Sequence, residues 1–246
     1  MIKVVVFFTK VIIMLLIALL FSSCRYSMDL GNGIDGNGNV KKETRNISQT
    51  FTKISANRGI EVIITQGNQV AVEVEADENL LNHITTTVEN GTLVITSDEN
   101  IDSAEMETVR VTAPTINELE ATSGAKISTT NTLKGTHIDV ESTSGSEITA
   151  LLEYENIKSE TTSGSSTKLS GKAMKLETSS SSGSHLDAGD LHANEVDSES
   201  TSGSSTEVHA LVSLKAEASS GSSINYHGKP TNITKDESSG GSINAE

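Results

Sequence analysis

Six acidic side chains, Glu120, Glu141, Glu160, Glu199, Glu217 and Asp236, each stand four residues before a glycine, and only Ser179 breaks the series. Carboxylates repeated at one offset admit three chemistries. They can form a weak stripe for cations or for a ligand. They can pair as acid and base on a sugar, for which Glu141 and Glu160 are the candidates. They can also be a solvated face that keeps a β surface soluble, the simplest reading, because stacked like charges repel and call only for solvent, Lys or salt. His209 and His227 share a second offset, six after Gly203 and Gly221, whereas His185 and His192 fall at others. A pair of imidazoles needs a third ligand and a supporting shell to hold a metal. No HxH or HExxH spacing supplies one, so the histidines read as surface groups and no metal and no cofactor are expected. Asp29, Asn32, Asp35 and Asn37 have the polar spacing of a calcium loop but lack its closing Glu and flanking helices.

These offsets count from a repeat. Gly124, Gly145, Gly164, Gly183, Gly203, Gly221 and Gly240 recur at spacings of 21, 19, 19, 20, 18 and 19 residues. Each follows a Ser, and the residue before that Ser is always Thr or Ser. Seven before the Gly stand Asn117, Ile138, Ile157, Leu176, Val196, Leu214 and Ile233; three after it stand Ile127, Ile148, Thr167, Leu186, Thr206, Ile224 and Ile243. Apolar positions alternate at period two on both sides, which is strand periodicity. A unit of about 19 residues is too short for a helix pair or a propeller blade and fits one coil of a parallel β-solenoid. Like residues then stack on adjacent coils about 4.8 Å apart. The Gly column marks a corner with positive φ or close backbone approach, and the Ser and Thr columns can ladder by their hydroxyls. The fold expected is all-β, a right-handed parallel β-helix. Differences in coil length are expected in a surface turn between coils.

The N-terminus reads as an address. Lys3 and Lys10 precede an apolar run from Val11 to Phe21, then Ser22, Ser23 and the only cysteine, Cys24. Basic start, apolar run and small residues make a secretory signal, and Leu20-Phe21-Ser22-Ser23-Cys24 resembles a bacterial lipobox, which implies cleavage after residue 23 and lipidation of Cys24. An uncleaved anchor stays open, since Val4–Phe21 is 18 residues interrupted by Thr9 and Lys10. Loss of Lys3 and Lys10 with the leader takes the formal charge from −15 to −17. Residues 24–46, with Gly31, Gly33, Gly36 and Gly38 among Asn and Asp, read as a flexible tether.

Residues 47–116 are β-branched and alternating but less regular than the coils of 117–246. Asn90-Gly91 between Thr85–Val88 and Thr92–Ser97 is a hairpin signal, Gln66-Gly67-Asn68 is a second turn, and Ala76–His83 is the one stretch that reads as a short helix or loop. Composition narrows the function. One Cys excludes an internal disulfide framework, and 33 Asp plus Glu against 18 Lys plus Arg argue against nucleic acid. The body holds few rings, Tyr26, Phe51, Tyr154 and Tyr226, and few arginines.

The arrangement resembles the auto-transporter adhesins with a head GIN domain, exported proteins frequent in Bacteroidetes. The resemblance rests on Phe51-Thr52-Lys53-Ile54, Gly59-Ile60-Glu61-Val62, Gln66-Gly67, the run Val72 to Leu80, Glu89-Asn90-Gly91-Thr92-Leu93, the Ser-Gly-Ser coils and Ser239-Gly240-Gly241-Ser242-Ile243. It implies a parallel β-helical fold over roughly 47–243 and brings no active-site motif. The function expected is non-catalytic binding at the cell envelope. The membrane would be reached through the Cys24 lipid at the outer membrane, and a carbohydrate or protein would be the ligand. A structural or stress-sensing envelope protein and a polysaccharide-active enzyme are the alternatives. The enzyme is disfavoured by the scarcity of aromatics and by having only Arg58 and Arg110 within the β region.

Overall fold

The computed structural model of the chain describes residues 33–246. The expected leader, the lipidation candidate Cys24, and Asp29 and Asn32 lie outside the described residues. Within them there are nineteen strands and no helix. The strands are β1 (Ile34–Asp35), β2 (Val40–Arg45), β3 (Lys53–Ala56), β4 (Glu61–Gln66), β5 (Ala71–Asp77), β6 (Ile84–Glu89), β7 (Thr92–Ser97), β8 (Ile101–Ser103), β9 (Glu107–Ala113), β10 (Glu118–Ala121), β11 (Lys126–Thr129) and β12 (Leu133–Ser142). They continue as β13 (Glu147–Thr161), β14 (Ser166–Ser180), β15 (His185–Ser200), β16 (Ser205–Ala218), β17 (Ser223–His227), β18 (Asn232–Glu237) and β19 (Ser242–Ala245). From β10 onward every pairing is parallel and joins one coil to the next. The chain is a β-solenoid.

The corner explains why the strands bend where they do. Ser123, Ser144, Ser163, Ser182, Ser202, Ser220 and Ser239 have φ between 48° and 57°, and the glycine after each has φ between 70° and 80°. Two consecutive left-handed residues make a tight turn, closed by the N–H of the residue after Gly onto the carbonyl three residues back, as in Ser165 to Thr162 at 3.2 Å. At five corners, Gly124 to Gly203, the Gly N–H points along the axis instead, as from Gly164 to the Ser182 carbonyl and from Gly183 to the Ser202 carbonyl. The serine after the Gly binds in the opposite direction. Ser146, Ser165, Ser184, Ser204 and Ser222 donate Oγ–H to a carbonyl of the preceding coil at 2.7–2.9 Å.

The interior is correspondingly narrow. Ile138, Ile157, Leu176, Val196 and Leu214 fill one side and Ile127, Ile148, Leu186 and Ile224 the other, all buried. Between them the inward positions beside the corner are hydroxyls: Ser142, Thr161, Ser180 and Ser200 are buried and bonded to one another or to neighbours, as Thr161 to Thr167 at 2.7 Å and Ser180 to Ser200 at 3.1 Å. A buried hydroxyl without a partner is destabilising, so the ladder is what admits Ser and Thr beside the corner; Ser159, farther from it, is an exception, its buried Oγ unpartnered.

The N-terminal part holds a reordering that the repeat does not announce. Arg58 (φ 55°) and Gly59 (φ 80°) form an eighth corner, and β3 and β4 on either side pair in parallel with β10 and β11. The other edges of β3 and β4 carry β7 and β9, also in parallel. The strands β7 and β9 therefore lie beneath the coil that precedes them in sequence. Beyond them the ladders end in antiparallel strands: β6 hairpins with β7 through Asn90-Gly91, and β5 pairs with β9 and β2 with β5. These close the parallel edge at that end. One expectation is corrected here. Residues 34–35 and 40–45 of the expected tether are strands, because β2 satisfies the open edge of β5. Residues 78–83 take the loop alternative, with turns held by Leu80 N–H to Asp77 O and His83 N–H to Leu80 O. In the cap, the half-buried Glu107 has its carboxyl pushed up to about 7 by burial.

The side opposite the corner also departs from expectation. From β13 to β16 one strand runs from each corner to the next. Length differences are taken up by irregular pairing between Lys168 and Ser170, Ala188 and His192, and Ala193 and Glu195, as β-bulges do, and not by a surface turn. The corner is the strictest position. A Cβ on Gly164 would meet nothing within 4 Å, so the strain of a replacement there is conformational. Gly164→Val is expected to lose about 1–2 kcal/mol in urea unfolding, and Gly164→Asn clearly less, because Asn tolerates positive φ. Equal losses would remove the conformational explanation.

Candidate functional site

The six carboxylates do lie in one line. Glu120 faces Glu141, Glu141 faces Glu160, Glu160 faces Ser179, Ser179 faces Glu199, Glu199 faces Glu217 and Glu217 faces Asp236. All point outward by strand alternation, and from Glu141 on each acid is exposed. The neighbouring outward column, Glu118, Asp139, Lys158, Glu177, Asp197 and Lys215, mixes the signs. Lys53 pairs with Glu118 at 2.6 Å, and Lys215 with Glu217 at 2.8 Å and Asp197 at 3.5 Å. The line is thus partly neutralised from the side. Desolvation, then the Glu120 and Glu160 charges, push the Glu141 carboxyl above its ordinary value, with Lys158 opposing. Glu118, Asp139, Glu141, Lys158 and Glu160 bound a shallow hollow of about 200 Å³.

A larger hollow of about 500 Å³ opens opposite the corner, lined by Gly135, Glu153, Tyr154, Glu155, Lys172, Ala173, Met174, His192, Asn194 and Leu211. Its floor follows from one column. Gly135, Tyr154, Ala173, Ala193 and Ala210 are stacked in register. A Cβ on Gly135 would come within 2.6 Å of the Tyr154 ring, so the ring rests on the glycine, and its hydroxyl donates to the Ile116 carbonyl at 2.7 Å. Burial pushes that phenol up to about 12. The alanines above leave a trough, and Met174, Leu211 and Val212 beside it are 58%, 44% and 47% exposed. Exposed apolar side chains gathered in one place are a common mark of a contact surface. The sequence gives little warning of it, because Leu211 and Val212 fall where the pairing with β15 is irregular and offsets from the Gly no longer hold, whereas Met174 lies in a regular stretch of β14.

The histidines form a third feature. His209 faces His227 as their shared offset implies, and the bulge after Ala188 brings His192 into the same column, opposite His209. The sequence places His192 elsewhere; the irregular pairing corrects it. The rings of His192 and His209 lie 4.2 Å apart and those of His209 and His227 6.0 Å apart. His209 is held below its ordinary pKa by desolvation and by the two neighbouring imidazoles, opposed by its bond to the Gly189 carbonyl.

Residues 50–230 match the family described as "Putative auto-transporter adhesin, head GIN domain". The chain belongs to this family. A crystal structure of a putative adhesin from Bacteroides fragilis is similar, with a TM-score of 0.82 at 21% identity over 87% of this chain and 100% of the other. A putative adhesin from Parabacteroides distasonis gives 0.72 at 17% over 87% and 99%. A putative lipid binding protein from the same species gives 0.70 at 20% over 87% and 99%. At such identities the likeness is one of fold. No curated protein matches. As a head GIN domain protein the chain is adhesin-like, and its family points to an exported protein of the cell envelope.

The acidic line generates a direct test. A raised carboxyl pKa means that the folded chain holds the proton more tightly than the unfolded one. Its contribution is full below the ordinary value of 4.5 and is lost as pH rises through the raised value. Glu141→Gln is therefore expected to raise the melting temperature at neutral pH and to lose that advantage in acid. NaCl and CaCl2 at matched ionic strength should stabilise the wild type alike, because screening is non-specific. A calcium-specific rise that charge reversal at Glu141 and Glu160 abolishes would make the line a cation stripe instead.

Proposed function

We propose that this head GIN domain protein is a non-catalytic adhesin, anchored in the outer membrane through a lipid on Cys24, that grips a partner protein at the trough beside Tyr154. The carrying observation is the exposed Met174 and, two coils on, Leu211, both lining a 500 Å³ hollow, with the exposed Val212 next to Leu211. Apolar side chains of a partner gain from leaving water on such a surface, and Glu153, Glu155, Lys172 and Asn194 at the rim supply the polar border that gives register. A protein fits better than a sugar. Sugar platforms are aromatic faces open to the ligand, and Phe51, Tyr154 and Tyr226 are all buried. The alternative of an acid and base pair at Glu141 and Glu160 has only the shallow 200 Å³ hollow to hold a chain of sugars.

Two experiments test the reading. Beads coated with the full chain should adhere to protein-bearing surfaces and not to glycan arrays, and Met174→Glu with Leu211→Glu should reduce adhesion at least tenfold without lowering the melting temperature. Adhesion unchanged by those substitutions, or turnover of acidic polysaccharides lost in Glu141→Gln, would contradict it. In cells, Cys24→Ala should abolish lipid labelling and release or misprocess the protein; unchanged membrane partition would favour an uncleaved anchor.

A further inference from the structure

The histidine column ends in a group of side chains that the adhesin reading leaves unused. Glu207, His227 and Glu246 come from three successive coils, and each offers a ligand atom within 4.8 Å of the other two. His227 Nε2 lies 2.6 Å from Glu207 Oε1 and 3.7 Å from Glu246 Oε2. We propose that Glu207, His227 and Glu246 form a binding site for a divalent first-row transition metal ion, with zinc as the representative.

The placement comes from the strands. His209 and His227 are opposite one another, and Tyr226 is opposite Ala245, so Glu246 continues the histidine column one coil on. Its N–H donates to the Tyr226 carbonyl at 3.0 Å, which fixes the backbone from which its carboxylate reaches back. Glu207 stands two residues before His209 on the same outward face and reaches diagonally to the next coil. Space for it is left by Gly189, where a Cβ would lie 2.5 Å from Glu207 Oε1. The glycine thus cradles the carboxylate without itself being a ligand. Lys168, which lines the same hollow as Glu207, has its direct ion pair with Asp187 at 2.5 Å.

The donor set decides the class of ion. An imidazole nitrogen with two carboxylates suits zinc, cobalt, nickel or iron, whereas calcium and magnesium prefer oxygen alone. Tetrahedral zinc with bonds of 2.0–2.2 Å sets its ligand atoms about 3.3 Å apart. The two separations from His227 Nε2, 2.6 and 3.7 Å, lie on either side of that value. Three protein ligands leave a fourth position open to water or to a donor from a bound partner. His209 stands beside the site; its Nδ1 bonds the Gly189 carbonyl at 3.2 Å, the kind of backbone contact that orients imidazoles around metals. The alternative is a simple Glu207–His227 ion pair.

The test is calorimetric titration and thermal unfolding of the untagged full chain in detergent with ZnCl2, against CaCl2 at matched ionic strength. The expected result is one zinc per chain and a rise in melting temperature that calcium does not produce. Cobalt in place of zinc should give visible d–d bands. Glu207→Gln and His227→Gln should each weaken zinc at least a hundredfold, and Gly189→Ala, which alters no ligand, about tenfold by displacing Glu207. All three variants should unfold without metal close to the wild type, which separates a lost site from a lost fold. Absence of a zinc-specific shift in the wild type, or an undiminished one in His227→Gln, would overturn the proposal.

Discussion

The coils are held in register by a backbone turn that no ordinary residue pair adopts freely. A serine and a glycine, both at positive φ, reverse the local chain direction in two residues. The Gly N–H then binds the corner of the following coil, while the next serine binds the preceding coil through its side chain. The hydroxyl Oγ of Ser184, for example, donates to the Thr161 carbonyl at 2.7 Å and accepts from the Ser181 N–H at 3.2 Å. One side chain therefore closes its own turn and ties two coils together. The left-handed serine is strained by about 1–2 kcal/mol, and the bonds that tie inner corners such as Gly164 and Gly183 to their neighbouring coils offset that strain.

This constraint explains the composition. Rings and long aliphatics have no room beside so tight a corner, and the hydroxyls there are bonded, so Ser and Thr serve where a layered domain would use Leu and Phe. It also separates structure from function along the sequence. Inward positions are fixed by the ladder, while outward columns are free to carry charge, imidazole or apolar groups. A column repeats its chemistry every coil on a rigid frame. Chemistry that needs several side chains can therefore be assembled from residues about 19 apart, as at Glu207, His227 and Glu246.

What the sequence made legible follows the same division. The Ser-Gly-Ser corner, the apolar columns and the acidic line could be counted from the glycines, because parallel stacking copies an offset directly into space. The count fails wherever a bulge intervenes. The bulge after Ala188 shifts His192 into line with His209, and Leu211 and Val212 beside the trough fall at a second irregularity, opposite Ala193 to Glu195. The N-terminal order was hidden for another reason. Arg58 replaces the corner serine, and β7 and β9 carry no Ser-Gly signature, so nothing local signals that they pass beneath β3 and β4. The strand Val40–Arg45 is charged and exposed along most of its length; only its pairing with β5 makes it a strand.

The central claim is that the serine after each corner glycine ties coil to coil. Urea unfolding of Ser184→Ala beside Ser182→Ala tests it most directly, since Ser184 is buried and bonded to two coils whereas Ser182 is exposed at the same corner. The account predicts a loss of about 1–2 kcal/mol for Ser184→Ala, the scale of a buried hydrogen bond removed, and a much smaller change for Ser182→Ala. Equal effects at the two positions would contradict it.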